Sequence, residues 1–310
     1  MSVRLTLLLG LALGGCQLLP RSGADVPSVE AAPSGRASAL MADVRALASD
    51  EMQGRAAGSA SGYRAADYVE RRFRQLGLEG AFDGTFRQSV RLRQGGRGVN
   101  VVGMIRGTTF PQQALVVTAH FDHLGVQAGQ VFNGADDNAS GVAAMLAVAQ
   151  HLRDHPPAHT VLFAGLDGEE QGLVGAQALA ETPPVPLGAL LAVVNLDMVS
   201  RGPLWLAGTA HYPHLRTLLE GPLAEAGHTV RYGHDTGSGS DNWTGASDHA
   251  AFHQRGVPFV YLGVEDHADY HRPTDDPERI DPAVFARAAD AIVATVSILD
   301  AHHAALVAGR

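Results

Sequence analysis

The chain contains no lysine; all 23 of its basic residues are arginine. Schiff-base catalysis and the lysine-dependent Walker A phosphate loop are therefore closed to it. A single cysteine, Cys16, leaves no disulfide possible within the chain, and neither a thiolate zinc site nor a cysteine nucleophile can be built into its body. Aromatic residues make up 6% of the 310 positions and charged residues 18%, but hydrophobic residues reach 45%, enough for an ordinary buried core and too many for a disordered chain. The net charge is −9 and there is no basic stripe, so the footprint needed to neutralise a phosphate backbone is missing and no nucleic-acid partner is expected. What is abundant is imidazole and carboxylate, with 15 His and 32 acidic residues. These side chains ligate zinc and harder divalent metals.

Arg4 precedes an apolar run from Leu5 to Gly15. The run suits the core of an export signal but is shorter than the roughly 18 residues that would span a bilayer. It ends in Leu13-Gly14-Gly15-Cys16, which resembles the lipobox of bacterial lipoproteins. That resemblance implies a signal peptide over residues 1–16, lipidation of Cys16, an exported protein held at the cell envelope, and no membrane contact other than the lipid; a plain signal peptide with a chance cysteine is the competing reading. Residues 17–36 are rich in Pro, Ser, Ala and Gly, as a flexible tether would be, and residues 37–310 remain as one domain.

Within that domain, apolar residues at helical spacing predict helices over Ala37–Ala48, Gly62–Leu76, Ala139–Arg153, Leu173–Ala180, His211–Ala226 and Pro282–His302. β-Branched and apolar runs predict strands over Val99–Ile105, Ala114–Ala119, Thr160–Ala164, Ala189–Leu196 and Val257–Leu262. The middle strands are almost continuously apolar, as in a sheet covered on both faces. The expected fold is a three-layer α/β/α domain with a mixed, mostly parallel central sheet.

In open α/β sheets, sites form where loops leave the carboxyl ends of strands, and this chain places its acids and histidines there. One strand runs into His120-Phe121-Asp122-His123, and Asp136-Asp137-Asn138 then lead into a helix. The next two strands end at Asp167-Gly168-Glu169-Glu170 and at Asn195-Leu196-Asp197. Ser247-Asp248-His249 open a short helix, and Asp269-Tyr270-His271 follow the last strand. Singly each has a plainer explanation: a loop histidine is usually solvated, Asp136 or Asp137 could cap a helix, and Glu169-Glu170 could be an exposed first turn. Together, several carboxylates crowded at one edge would repel one another unless cations neutralised them, which points to a dinuclear metal site.

In this order, His-x-Asp, Gly-Ala-Asp-Asp-Asn-Ala-Ser-Gly, Asp-Gly-Glu-Glu, Asn-Leu-Asp-Met, Ser-Asp-His and Tyr-His-x-Pro-x-Asp resemble the M28 family of zinc aminopeptidases over about residues 40–300. The resemblance implies a zinc exopeptidase fold with two Zn²⁺. His120 and Asp197 would hold one zinc, Glu170 and His271 the other, and Asp137 would bridge them through a cis Asp137–Asn138 peptide. Spacing does not choose between Asp136 and Asp137; the resemblance points to Asp137. It also implies that Asp122 orients His120 and that Glu169 is the general base acting on a metal-bridged water, releasing the first residue of peptides with a free N-terminus. Some relatives have a tyrosine before Ser-Asp-His as oxyanion donor; here that stretch reads Trp243-Thr244-Gly245-Ala246, which assigns no such donor.

Three other functions compete with this reading. A serine hydrolase would need a Gly-x-Ser-x-Gly elbow, which is absent, and the consecutive Ser247-Asp248-His249 cannot converge as a triad. A glutaminyl cyclase-type acyltransferase of the same fold would use one zinc and no water, which the full ligand set argues against. A non-catalytic binding protein would have lost ligands, and none is lost here.

Overall fold

The computed structural model describes residues 35–309. The expected signal peptide, Cys16 and nearly all of the tether lie outside the described residues. The first helix, α1 (Gly35–Leu47), begins two residues earlier than the domain boundary read from composition.

In chain order the remaining elements are α2 (Ala60–Gln75), β1 (Glu79–Gly80), β2 (Arg87–Arg91), β3 (Arg97–Ile105), β4 (Phe110–His120), β5 (Gly125–Gln127), β6 (Gln130–Phe132), α3 (Gly141–Asp154), β7 (His159–Leu166), α4 (Val174–Glu181), β8 (Leu190–Leu196), β9 (Trp205–Ala207), α5 (Pro213–Glu225), β10 (Arg231–Tyr232), α6 (His249–His253), β11 (Phe259–Gly263), α7 (Pro282–Ala301) and α8 (His303–Ala308). Local signals mark the starts of α2 and α7. Ser59 caps α2 by accepting from the Gly62 amide at 3.0 Å. Asp281 caps α7 by accepting from the Ala283 and Val284 amides, with Pro282 as first helical residue.

The main sheet runs in the order β1-β3-β7-β4-β8-β11-β9-β10, with β2 also paired to β3. Its four central strands, β7, β4, β8 and β11, are parallel. The flanks turn antiparallel at the β3–β7 and β11–β9 pairings. Strand periodicity sends alternate side chains to opposite layers. Leu115 and Val117 of β4 join the core under α1, α2, α3, α5 and α7, whereas Val116 joins the core under α4 and α6. The strands read as continuously apolar because each face has its own helix layer.

The helix expected from Ala139 starts instead at Gly141, because Asp137 and Asn138 take non-helical dihedrals in the preceding turn. The two- and three-residue strands β1, β5, β6, β9 and β10 are too short to carry a readable alternation. Parallel orientation of the central four has one consequence for chemistry: His120, Asp167 and Asp197 leave the sheet at the same edge.

Candidate metal centre

Five side chains separated by up to 151 positions meet at that edge. His120 Nε2 lies 3.3 Å from Asp197 Oδ1 and 3.4 Å from Asp137 Oδ1. His271 Nε2 lies 3.1 Å from Asp137 Oδ2 and 3.4 Å from Glu170 Oε2. The Asp137 carboxylate is thus split, one oxygen facing His120 and Asp197 and the other facing Glu170 and His271. Asp137 reaches this place from an irregular turn, with the Asp137–Asn138 peptide cis. The Asn138 side chain holds that turn to the end of β8, its Nδ2 donating to Leu196 O at 2.9 Å and its Oδ1 accepting from the Gly141 amide at 3.0 Å.

Asp136, adjacent in sequence, is turned away. Its Oδ1 accepts from the Ser200 amide and hydroxyl (2.9 and 2.7 Å) and lies 3.0 Å from the Ser140 hydroxyl, and its Oδ2 is 3.1 Å from His267 Nε2. The choice between the two aspartates that spacing left open is made by this buried network. Asp122 acts on His120 through its main chain: its carbonyl lies 3.1 Å from His120 Nδ1, whereas its carboxylate is 3.8 Å away. That carboxylate instead accepts from the amides of Glu169 and Glu170, at 3.0 and 3.4 Å. Asp122 therefore positions the two glutamates as well as the histidine.

One participant was missed by the sequence reading. His123 Nδ1 is 2.8 Å from Glu170 Oε1 and 3.7 Å from Asp137 Oδ2, so a second imidazole stands in the Glu170–His271 group. The signal was present in the run His120-Phe121-Asp122-His123, but a strand-end histidine three positions on has no fixed direction until the chain turns. Asp248 of the Ser-Asp-His motif is also wholly buried, with neither carboxylate oxygen hydrogen-bonded. His249 beside it is held neutral, its Nε2 donating to Trp243 O at 2.8 Å while its Nδ1 lies 3.3 Å from the Asn195 amide nitrogen.

The electrostatics divide the carboxyls into two kinds. Burial raises Glu169 well above the usual carboxylate range, and Asp197, Asp248 and Glu170 add to the rise while His120 opposes it. Burial also pushes Asp248 up to about 7. Glu170 is buried too, yet hydrogen bonds from His123 and His271 hold it well below its ordinary value. His271 is desolvated, but the carboxylates of Asp137 and Glu170 outweigh that and raise it to about 10. Adjacent glutamates thus differ in proton affinity because only Glu170 is hydrogen-bonded to imidazoles.

The donors form two groups that could each hold a cation, His120–Asp137–Asp197 and His123–Asp137–Glu170–His271. They are imidazole nitrogens and carboxylate oxygens, the set zinc accepts. Donor spacings run from 3.3 to 3.4 Å in the first group and from 2.8 to 3.7 Å in the second, around the edge of about 3.3 Å of a tetrahedron with bonds of roughly 2.0 Å. Beside them lies a cavity of about 80 Å³ walled by Met198, Trp243, Tyr261 and Tyr270, with Glu169 facing in. A larger cleft of about 650 Å³ is lined by Arg74, Glu79 and Arg106 and sits at the opposite edge of the sheet, near the start of β7.

Fold and site together define an α/β domain with two adjoining groups of imidazole and carboxylate donors that could hold cations and that share one aspartate. Residues 100–296 match peptidase family M28, and the chain belongs to that family. A probable zinc metalloprotease of Pyrenophora tritici-repentis is 34% identical over 134 residues, a match that covers 42% of this chain and 31% of that protein, so the chain spans about a third of that relative's length. The fold is shared with BSAP, a zinc aminopeptidase from Bacillus subtilis, at a TM-score of 0.68 and 16% identity, covering 86% of this chain and 95% of that one. It is shared equally with the glutaminyl cyclase of Fimbriiglobus ruber, at a TM-score of 0.68 and 19% identity, covering 84% and 95%.

Proposed function

We propose that this chain is a dinuclear zinc aminopeptidase, hydrolysing the first bond of peptides with a free N-terminus. The observation that carries the reading is the split Asp137 carboxylate, whose two oxygens address separate donor groups. His120 and Asp197 would hold one zinc and Glu170 and His271 the other. Bound there, two cations supply Lewis-acid polarisation of the scissile carbonyl and lower the pKa of water. Glu169, outside both donor groups but facing the same cavity, takes a proton from the attacking water and returns it to the leaving amine. The acidic surroundings favour an ammonium group, which places a substrate's N-terminus at the site and its first peptide bond beside Glu169.

Metal analysis of the purified protein, with hydrolysis of free and N-acetylated aminoacyl reporters, tests the reading. Two zinc ions per chain and cleavage of free substrates alone are expected. Equal cleavage of acetylated substrates would remove the exopeptidase assignment. The likeness to a glutaminyl cyclase marks the rival reading. One zinc per chain, with cyclisation of N-terminal glutamine and no hydrolysis, would establish it instead.

We also propose export and lipid anchoring at Cys16, supported by Leu13-Gly14-Gly15-Cys16. Fractionation of Cys16→Ser should release soluble protein; unchanged membrane attachment would refute the anchor.

A further inference from the structure

Arg55 is completely buried. It ends a tight turn, residues 50–55, in which Gln53, Gly54 and Arg55 all have positive φ, at 47°, 64° and 52°. Gly54 has to be glycine, since a Cβ there would come within 2.5 Å of the carbonyl oxygens of Gly125 and Phe132. The turn is thereby pressed onto the base of the β5–β6 hairpin, and the next side chain enters the interior. Its Nε donates to Phe121 O at 2.7 Å, one terminal nitrogen to Leu47 O at 2.8 Å and Asn133 O at 2.6 Å, and the other to Gly134 O at 3.0 Å. Every one of these acceptors is a main-chain carbonyl, none a carboxylate.

The positions of those carbonyls matter. Phe121 follows His120 and precedes Asp122 and His123, and Asn133 and Gly134 lead directly into the turn that carries Asp137. The Arg55 carbonyl also accepts from the His123 amide at 3.4 Å. One guanidinium therefore fastens together the two loops that present the imidazoles of β4 and the shared aspartate. It keeps its charge there, because burial lowers it only to about 10, and Asp137, Asp122, Asp275 and Glu170 all feel that charge. A buried cation without an acid in contact is expensive, whereas a neutral side chain could fill the same space.

We propose that Arg55 is a positioning residue for the metal centre: its fork sets the separation of the His120–His123 and Asn133–Asp137 segments, and its fixed charge offsets the repulsion among the carboxylates gathered there. The inference rests on reading that cluster as a metal centre. Lysine cannot substitute fully, since one ammonium with three donors does not reach carbonyls on three separate segments in the geometry of a planar fork.

The test compares wild type, Arg55→Lys and Arg55→Met for zinc affinity, by competition with a chromophoric chelator, and for kcat and KM on an aminoacyl reporter, with circular dichroism as the measure of folding. Arg55→Lys should fold and bind zinc about 10- to 100-fold more weakly, the range for losing a group that orients ligands. Arg55→Met should bind more weakly still, having lost the charge as well. In both, kcat should fall with KM nearly constant. A folded variant whose zinc affinity stays within about twofold of wild type would overturn the proposal, even if it melts at a lower temperature. Failure of every variant to fold would overturn it too, by showing that Arg55 serves the fold as a whole. Absence of zinc binding by wild type would instead overturn the metal reading on which the proposal stands.

Discussion

His123 Nδ1 lies 2.8 Å from Glu170 Oε1, a contact that joins the end of β4 to the loop after β7 across 47 positions of sequence. It differs from the contact made by His120, whose second ring nitrogen has a main-chain partner, because His123 Nε2 is buried without a hydrogen bond. Replacing His123 by alanine removes the imidazole that holds Glu170 in place. Metal titration of His123→Ala should show one of two zinc ions bound about 10- to 100-fold more weakly and the other unchanged. Two sites of wild-type affinity would show that His123 only fills space.

The adjacent glutamates should separate in kinetics. Glu169→Gln keeps both donor groups and should retain two metals while kcat falls by roughly 10² to 10⁴ with KM changing far less. Glu170→Gln removes a donor, so it should lose metal, and added zinc should restore part of its activity. Metal loss from Glu169→Gln, or a near-normal kcat in it, would show the roles reversed or absent.

Asp136 and Asp137 give a second contrast between neighbours. Asp136→Ala leaves the Ser200 amide and hydroxyl and His267 without their acceptor and should lower the unfolding free energy by roughly 3 to 5 kcal/mol, as breaking a buried charged network does. Its metal stoichiometry should stay at two wherever the protein is folded. Asp137→Ala should lose both metals, because each group uses one of its oxygens. Chemical denaturation together with metal analysis on the two variants distinguishes them; equal metal loss would mean that Asp136 is part of the centre.

His249 contributes a pH dependence that can be isolated. Burial lowers its pKa to about 4, and its neutral form satisfies both partners, whereas protonation would put a second N–H against the Asn195 amide. Below about 6.5 the unfolded chain takes up a proton on His249 that the folded chain refuses until pH is near 4, so the contribution of His249 to stability falls as pH falls through that window. At pH 5 the loss is roughly 2 kcal/mol relative to pH 7.5. Urea unfolding of wild type and His249→Gln, with chelator present throughout, should show the difference between them shrinking by about that amount on acidification. A difference constant with pH would show that His249 titrates like a free imidazole.

Strands β3, β4, β7, β8 and β11 and most helices were legible because each repeats its apolar pattern often enough to be read, whereas β2, as long as β11, was not. Short strands such as β9, three residues long, were not, since pairing with β11 and β10 rather than any local pattern holds them extended. Asp122 was recognised as a support for His120, but it does so by its carbonyl, while its carboxylate reaches the glutamates. No periodicity or motif in the sequence reading singled out Arg55, because a buried arginine bonded to carbonyls of remote segments has no local signature.

By itself the sequence determined which chemistry was available: no lysine, no cysteine in the domain, and acids and histidines gathered at the ends of apolar strands. That much follows from side-chain identity and from the rule that parallel strands deliver their carboxyl ends to one edge. Only the tertiary structure decided that Asp137 and not Asp136 faces the centre, that His123 joins it, and that Arg55 ties its loops together. Those outcomes depend on the direction in which a side chain leaves an irregular turn. Direction there is set by contacts with Ser200, His267, Glu170 and Phe121, residues up to 131 positions away, whose approach no local run of sequence encodes.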